Sequence, residues 1–118
     1  MQADTARTKT RARQRRWVKK TRSEVPLERR VEKETVAFLE ANGMWAEKRG
    51  LQGWPDREVF LWNGRHIWFE FKRARFASMT PAQKLRIPWL ERRGERVYVI
   101  TDANQGLVIA LHERSRRE

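Results

Sequence analysis

The chain has 118 residues, a length that favours one domain around a single core. It carries 27 Lys and Arg against 15 Asp and Glu, a net charge of +12, so its surface must be strongly electropositive and its expected partner is a polyanion. No apolar run approaches the roughly 18 residues of a membrane span, and the lack of cysteine, with only two distant histidines (His66 and His112), excludes a disulfide scaffold, a thiolate zinc site, a cysteine nucleophile and a histidine metal cage.

The first 25 residues hold nine basic side chains (Arg7, Lys9, Arg11, Arg13, Arg15, Arg16, Lys19, Lys20 and Arg22) against Asp4 and Glu24. Trp17 is the one large apolar residue of note, too little to order the segment by burial, so residues 1–25 are expected to form a disordered basic arm. An Arg-rich, acid-poor start also fits a mitochondrial presequence, but the apolar face such a leader needs is limited to Trp17 and Val18. Residues 26–118 are expected to form the globular domain.

Leu27, Val31, Thr35, Phe38 and Leu39 recur at helical spacing until Asn42 and Gly43, which predicts a first helix. A short strand is expected around Trp45 to Arg49, followed by a Gly50 to Pro55 loop. Two apolar runs, Val59 to Trp62 and His66 to Phe71, flank Asn63-Gly64 and predict a β-hairpin. Thr80, Pro81 and Gln83 form a capping-box start for a second helix running to Gly94, with Pro88 inside it as an expected kink. Val97 to Thr101 reads as a strand, and Leu107 to Leu111 as one further strand after a turn at Asp102 to Gly106.

The hairpin carries the chemistry. Pro55-Asp56 opens its first strand and Glu70-Phe71-Lys72 closes its second. Side chains two apart in a strand share a face, so Glu70 and Lys72 point with His66 and Trp68, while Ile67, Phe69 and Phe71 form the buried face. A two-residue turn at Asn63-Gly64 sets Asp56 opposite Phe71 and separates it from Glu70. A three-residue turn, Trp62-Asn63-Gly64 with Gly64 at positive φ, sets Asp56 opposite Glu70 and gathers Val59, Leu61, Ile67 and Phe69 on one face. The second register gives the cleaner core and is the one expected. Two adjacent carboxylates with no Cys or His ligand suit Mg²⁺ or Mn²⁺, which take oxygen donors and can activate water against a phosphate. Lys72 adds positive charge near that water and the developing phosphorane. The plainer reading of the same residues is a surface salt-bridge cluster at a strand end.

With thirteen residues between Asp56 and Glu70, the pattern resembles the PD-(D/E)xK nuclease superfamily. In a wider frame, Val31-Glu32, Gly43, Gly53-Trp54-Pro55-Asp56-Arg57, Asn63-Gly64, Phe69-Glu70-Phe71-Lys72, Gln83, Gly94 and Val97-Tyr98-Val99-Ile100 resemble, in that order, the VRR-NUC (virus-type replication-repair nuclease) family over residues 27–101. Trp54 departs from the smaller aliphatic residue common at its place. The resemblance implies an α/β fold with a restriction-endonuclease-like core, a central mixed β-sheet flanked by helices. It also implies a metal-dependent DNA endonuclease with Asp56 and Glu70 as ligands, Lys72 beside the water, a carbonyl ligand from Phe71, a helix acid at Glu32 and a contributing Gln83. At about 100° per residue Glu32 lies on the flank of the first helix's buried stripe, but so do Glu28 and Glu34, and only the family position selects among them. Gln83 is equally well explained as a helix cap.

The expected partner is branched or double-stranded DNA, met by Arg11, Arg13, Arg15, Arg16, Lys19 and Lys20 of the arm and by Arg57, Arg73 and Arg75 of the domain. The resemblance further suggests a homodimer acting in replication, recombination or repair in the cytoplasm of a bacterial or phage-infected cell. The alternative is a noncatalytic basic DNA- or RNA-binding protein whose acids are structural. His66 is expected to be half-exposed, His112 carries no signal, and Trp54, Trp62 and Trp68 are placed near the cleft, with core packing as their main duty.

Overall fold

In the computed structural model, residues 27–62, 64–74 and 78–116 are described. The expected arm, Arg75 and Asn63 lie outside them. Helix α1, Leu27–Ala41, buries Val31, Thr35 and Leu39, one face of a 3.6-residue repeat. It stops where Gly43 takes φ 78°, and the chain turns into strand β1, Trp45–Lys48.

Strands β2, Arg57–Phe60, and β3, His66–Phe71, form the hairpin. Arg57 pairs with Phe69, Val59 with Ile67 and Phe60 with His66, which is the register of the three-residue turn. The Leu61 N–H donates to the Arg65 carbonyl at 2.8 Å, closing that turn, and Gly64 has φ 80°. Helix α2, Pro81–Arg92, then crosses over to β4, Val97–Ile100, which runs parallel to β3. The sheet is therefore mixed, in the order β1-β2-β3-β4.

The last expected strand is instead helix α3, Ala103–Ser115. Asp102 caps it by accepting the Asn104 N–H at 2.9 Å, and the residues buried are Ala103, Gly106, Ala110 and Glu113, a helical spacing. Gly106 permits the packing, since a Cβ there would meet Thr35 Cγ2 at 2.8 Å. The helix is further tied down through Glu113, 1% exposed, which accepts from the Tyr98 hydroxyl and, at 3.1 Å, from Arg96 Nε.

Helices α1 and α3 cover the sheet face that carries Val59, Ile67 and Phe69, all at or below 1% exposure. On the other face Trp68 packs against Trp54 of the 50–56 loop, which in turn meets Trp89 of α2. The result is a helix–sheet–helix arrangement in which both faces of β3 are buried. Among the described residues no helix is long and apolar enough to cross a membrane.

Candidate functional site

Regular pairing of β2 with β3 ends at Arg57 and Phe69, one step before Asp56 and Glu70. At that frayed end the two acids are joined through the main chain. The Asp56 N–H donates to Glu70 Oε1 at 3.2 Å, and the Phe71 N–H donates to Asp56 Oδ2 at 2.8 Å. The loop delivering Asp56 is tightly held: Pro55 is fully buried, and Gly53 at φ 82° lies so close to α2 that a Cβ would sit 2.9 Å from the Ala82 carbonyl oxygen.

Glu70 is 3% exposed, and its Oε2 accepts from Gln83 Nε2 at 2.7 Å and faces Lys72 Nζ at 3.2 Å. Burial pushes its carboxyl above the usual glutamate range and the neighbouring Asp56 pushes it further, while Gln83 and Lys72 pull the other way. Asp56 is raised for the same first reason, burial, with Glu32 adding to it against the Phe71 N–H and Lys72. Two carboxyls that are both costly to ionise side by side form a place where added positive charge is favourable.

Gln83 caps the helix and also contacts Glu70. Its Oε1 accepts the Thr80 N–H at 3.1 Å, its own N–H donates to Thr80 Oγ1 at 3.2 Å, and its amide nitrogen holds Glu70. Lys72 Nζ also reaches Gln83 Oε1 at 3.2 Å, so Lys72, Gln83 and Glu70 form a closed triangle. The cap orients the amide, and the amide orients the acid.

Glu32 lies on the far side of Asp56, where both line a cavity of about 260 Å³ with Glu28, Arg29 and Phe71. Its carboxylate is engaged by Arg57 Nε at 2.7 Å. Arg57 also donates to the Ala46 carbonyl at 3.1 Å, so this arginine is turned into the sheet edge. Arg73 is exposed just beyond Lys72. Among the described residues no three His, Asp or Glu side chains converge to hold a metal unaided.

His66 is 34% exposed, as expected of a half-buried strand residue, but it sits between carboxylates, with Nδ1 at 3.0 Å from Glu58 and Nε2 at 2.6 Å from Glu95. Trp62 is not near Asp56. It is 70% exposed at the hairpin tip, where it lines a shallow depression with Arg114 and Ser115, at the opposite end of the strands from the acid pair. Trp89 and Arg86 are not singled out by sequence reasoning; their signal, an aromatic three residues after an arginine on a helix, becomes readable only once the 50–56 loop is known to close on α2.

No family sequence model matches the chain, nor does any curated protein. A solved structure described as a VRR_NUC domain superposes with a TM-score of 0.65 at 27% identity, covering 78% of this chain and all of that one. That likeness supports the VRR-NUC family of nuclease domains, the one that the sequence motifs resemble.

Proposed function

We propose that this chain is a Mg²⁺- or Mn²⁺-dependent endonuclease that hydrolyses DNA phosphodiester bonds, with Asp56, Glu70 and Lys72 as its catalytic centre. The observation that supports this most is the pair of half-buried Asp56 and buried Glu70 at the open end of the hairpin, with Lys72 and Gln83 on Glu70. The donor set is all oxygen, and with two side chains it suits an ion that keeps several waters. Asp56, Glu70 and the Phe71 carbonyl are the residues to hold it. The chemistry it would supply there is polarisation of a phosphate and a lowered pKa of a water.

The chain's own residues do the rest. Lys72, held against Glu70, places a positive charge where the pentacovalent phosphate gathers negative charge. Gln83 keeps the Glu70 carboxylate in one rotamer, and Glu32 adds negative potential at Asp56 that favours cation entry. The arm residues Arg11, Arg13, Arg15, Arg16, Lys19 and Lys20, with Arg73 and Arg75, bind phosphates and position the duplex, a use for the basic charge that the first 25 residues carry. Branched DNA as the preferred substrate and a homodimer as the working assembly belong to the same reading.

Linear duplex, flap, nicked and four-way DNA incubated with Mg²⁺, with Mn²⁺ and with EDTA test it. Cleavage of at least one substrate with either metal and none in EDTA is expected. Salt-sensitive binding without cleavage of any substrate would replace the nuclease with a noncatalytic DNA- or RNA-binding protein.

A further inference from the structure

Next to the acid pair stands an aromatic and basic assembly that the Asp56 and Glu70 chemistry does not use. Trp68, 5% exposed, is its floor, and Trp54 lies tilted on it with ring centroids 5.4 Å apart. Trp89 meets Trp54 edge to face at 6.4 Å. The Arg86 guanidinium stands 5.2 Å from the Trp54 ring centre and 4.6 Å from that of Trp89, and Arg93 stands 3.8 Å from Trp89. Trp54 and Trp89 are only partly buried, and Trp89 borders a groove of about 330 Å³ with Gln52, Ala82, Leu85 and Arg86. Leu85 in that groove is 77% exposed.

Three features fit this surface to one kind of ligand. Indole rings that are only partly buried, beside an exposed leucine, favour a flat apolar group, which would take the place of the Arg93 guanidinium over Trp89. Among the described residues, Arg86 and Arg93 make no ion pair with a carboxylate, so their charge is left for an anion. The same two segments build both this surface and the acid pair. Trp54 is two residues from Asp56, and Ala82, on which Gly53 closes, directly precedes the Gln83 that holds Glu70. A flat π-system joined to phosphates is a nucleotide whose base is not paired, since a base within a duplex is already stacked on both faces.

We propose that Trp89, Arg86 and the partly buried Trp54 form a stacking platform for an unpaired nucleobase of a DNA substrate, beside the phosphate that is cut. The placement of that phosphate rests on the nuclease reading above; the platform itself rests on the aromatic geometry. It makes DNA with unpaired nucleotides at a strand end or branch the preferred substrate class over continuous duplex.

The test uses the full chain in EDTA, so that binding is read without cleavage. A duplex with a short single-stranded tail carries 2-aminopurine at the first unpaired position, and a blunt duplex with the same number of phosphates serves as reference. Binding of the wild type should quench the 2-aminopurine emission and favour the tailed DNA. Trp89→Ala should abolish the quenching and reduce that preference about tenfold, the size of one base–aromatic stack, whereas Trp89→Phe should retain both. Arg86→Ala should weaken the tailed DNA more than the blunt one. Each variant is checked for a wild-type circular-dichroism melt. Unchanged quenching and preference in Trp89→Ala would overturn the platform. So would a dimer, seen by light scattering, that Trp89→Ala dissociates without altering DNA binding, because the face would then belong to a second copy. Trp89-dependent quenching in a protein that cuts nothing would keep the platform and overturn only the nuclease reading.

Discussion

Replacing Gly53 by alanine tests whether contact with α2 holds the loop that delivers Asp56. Gly53 has φ 82° and Gly64 has φ 80°, so a methyl group at either position incurs the same left-handed backbone penalty, about 1–2 kcal/mol. Their surroundings differ. Nothing lies within 4 Å of a Cβ at Gly64, whereas at Gly53 it would meet the Ala82 carbonyl oxygen at 2.9 Å and the Ala82 Cβ at 3.0 Å. Overpacking against a helix backbone adds about 1–3 kcal/mol. Gly64→Ala should therefore cost about 1–2 kcal/mol and Gly53→Ala about 2–5 kcal/mol. At about 4–8 °C per kcal/mol for a domain of this size, the two melting temperatures should be clearly separated. Urea unfolding of both variants measures the difference. Because the displaced loop carries Asp56, Gly53→Ala should also lose cleavage under conditions where it remains folded, and Gly64→Ala should not. A Gly53→Ala cost no greater than that of Gly64→Ala would refute the restraint.

Three further outcomes follow from the same structure. Burial raises the Asp56 carboxyl, so the folded protein holds that proton more tightly than the unfolded chain; the stability it contributes is present below its ordinary 3.8 and is lost as pH rises through the raised value. Asp56→Asn keeps an acceptor for the Phe71 N–H and removes the charge, so in EDTA it should melt higher than wild type at pH 7 with the gap closing toward acid, a pattern calorimetry would contradict if the variant were the less stable at pH 7. Removing residues 1–24 should flatten the salt dependence of DNA binding, by a log-log slope of about 0.9 for each phosphate that the arm neutralises; an unchanged slope in anisotropy titrations means the arm does not touch DNA. Gly106→Ala should destabilise the fold by up to about 2 kcal/mol, overpacking against Thr35 less the gain in helix propensity. Thr35→Ser, which removes the clashing methyl and keeps the hydroxyl bond to the Val31 carbonyl, should restore much of that stability.

The parts legible in the sequence are those whose signals are local. The α1 stripe is a period, the Thr80–Gln83 box is a short-range exchange of hydrogen bonds, and the hairpin register follows from which turn puts Val59, Leu61, Ile67 and Phe69 on one face. From that register the meeting of Asp56 with Glu70 can be derived without any relative. Helix α3 is hidden because Leu107 to Leu111 contains Val108 and Ile109, which read as strand, while its true signals are weak ones: the Asp102 cap and the spacing of Ala103, Gly106, Ala110 and Glu113. What decides the matter there is tertiary, the close approach of Gly106 to Thr35. Arg57 shows the same limit. Its charge is visible in the sequence, but its engagement with Glu32 across 25 positions is not.

Single-turnover cleavage and DNA affinity, measured on the same preparations of wild type, Asp56→Asn, Glu70→Gln and Lys72→Ala in Mg²⁺ and in Mn²⁺, test the catalytic centre most directly. Each substitution should abolish cleavage and leave affinity nearly unchanged, because the binding charge lies in the arm and the basic surface rather than in these three side chains. Wild-type cleavage rates in any two of the variants would contradict the assignment.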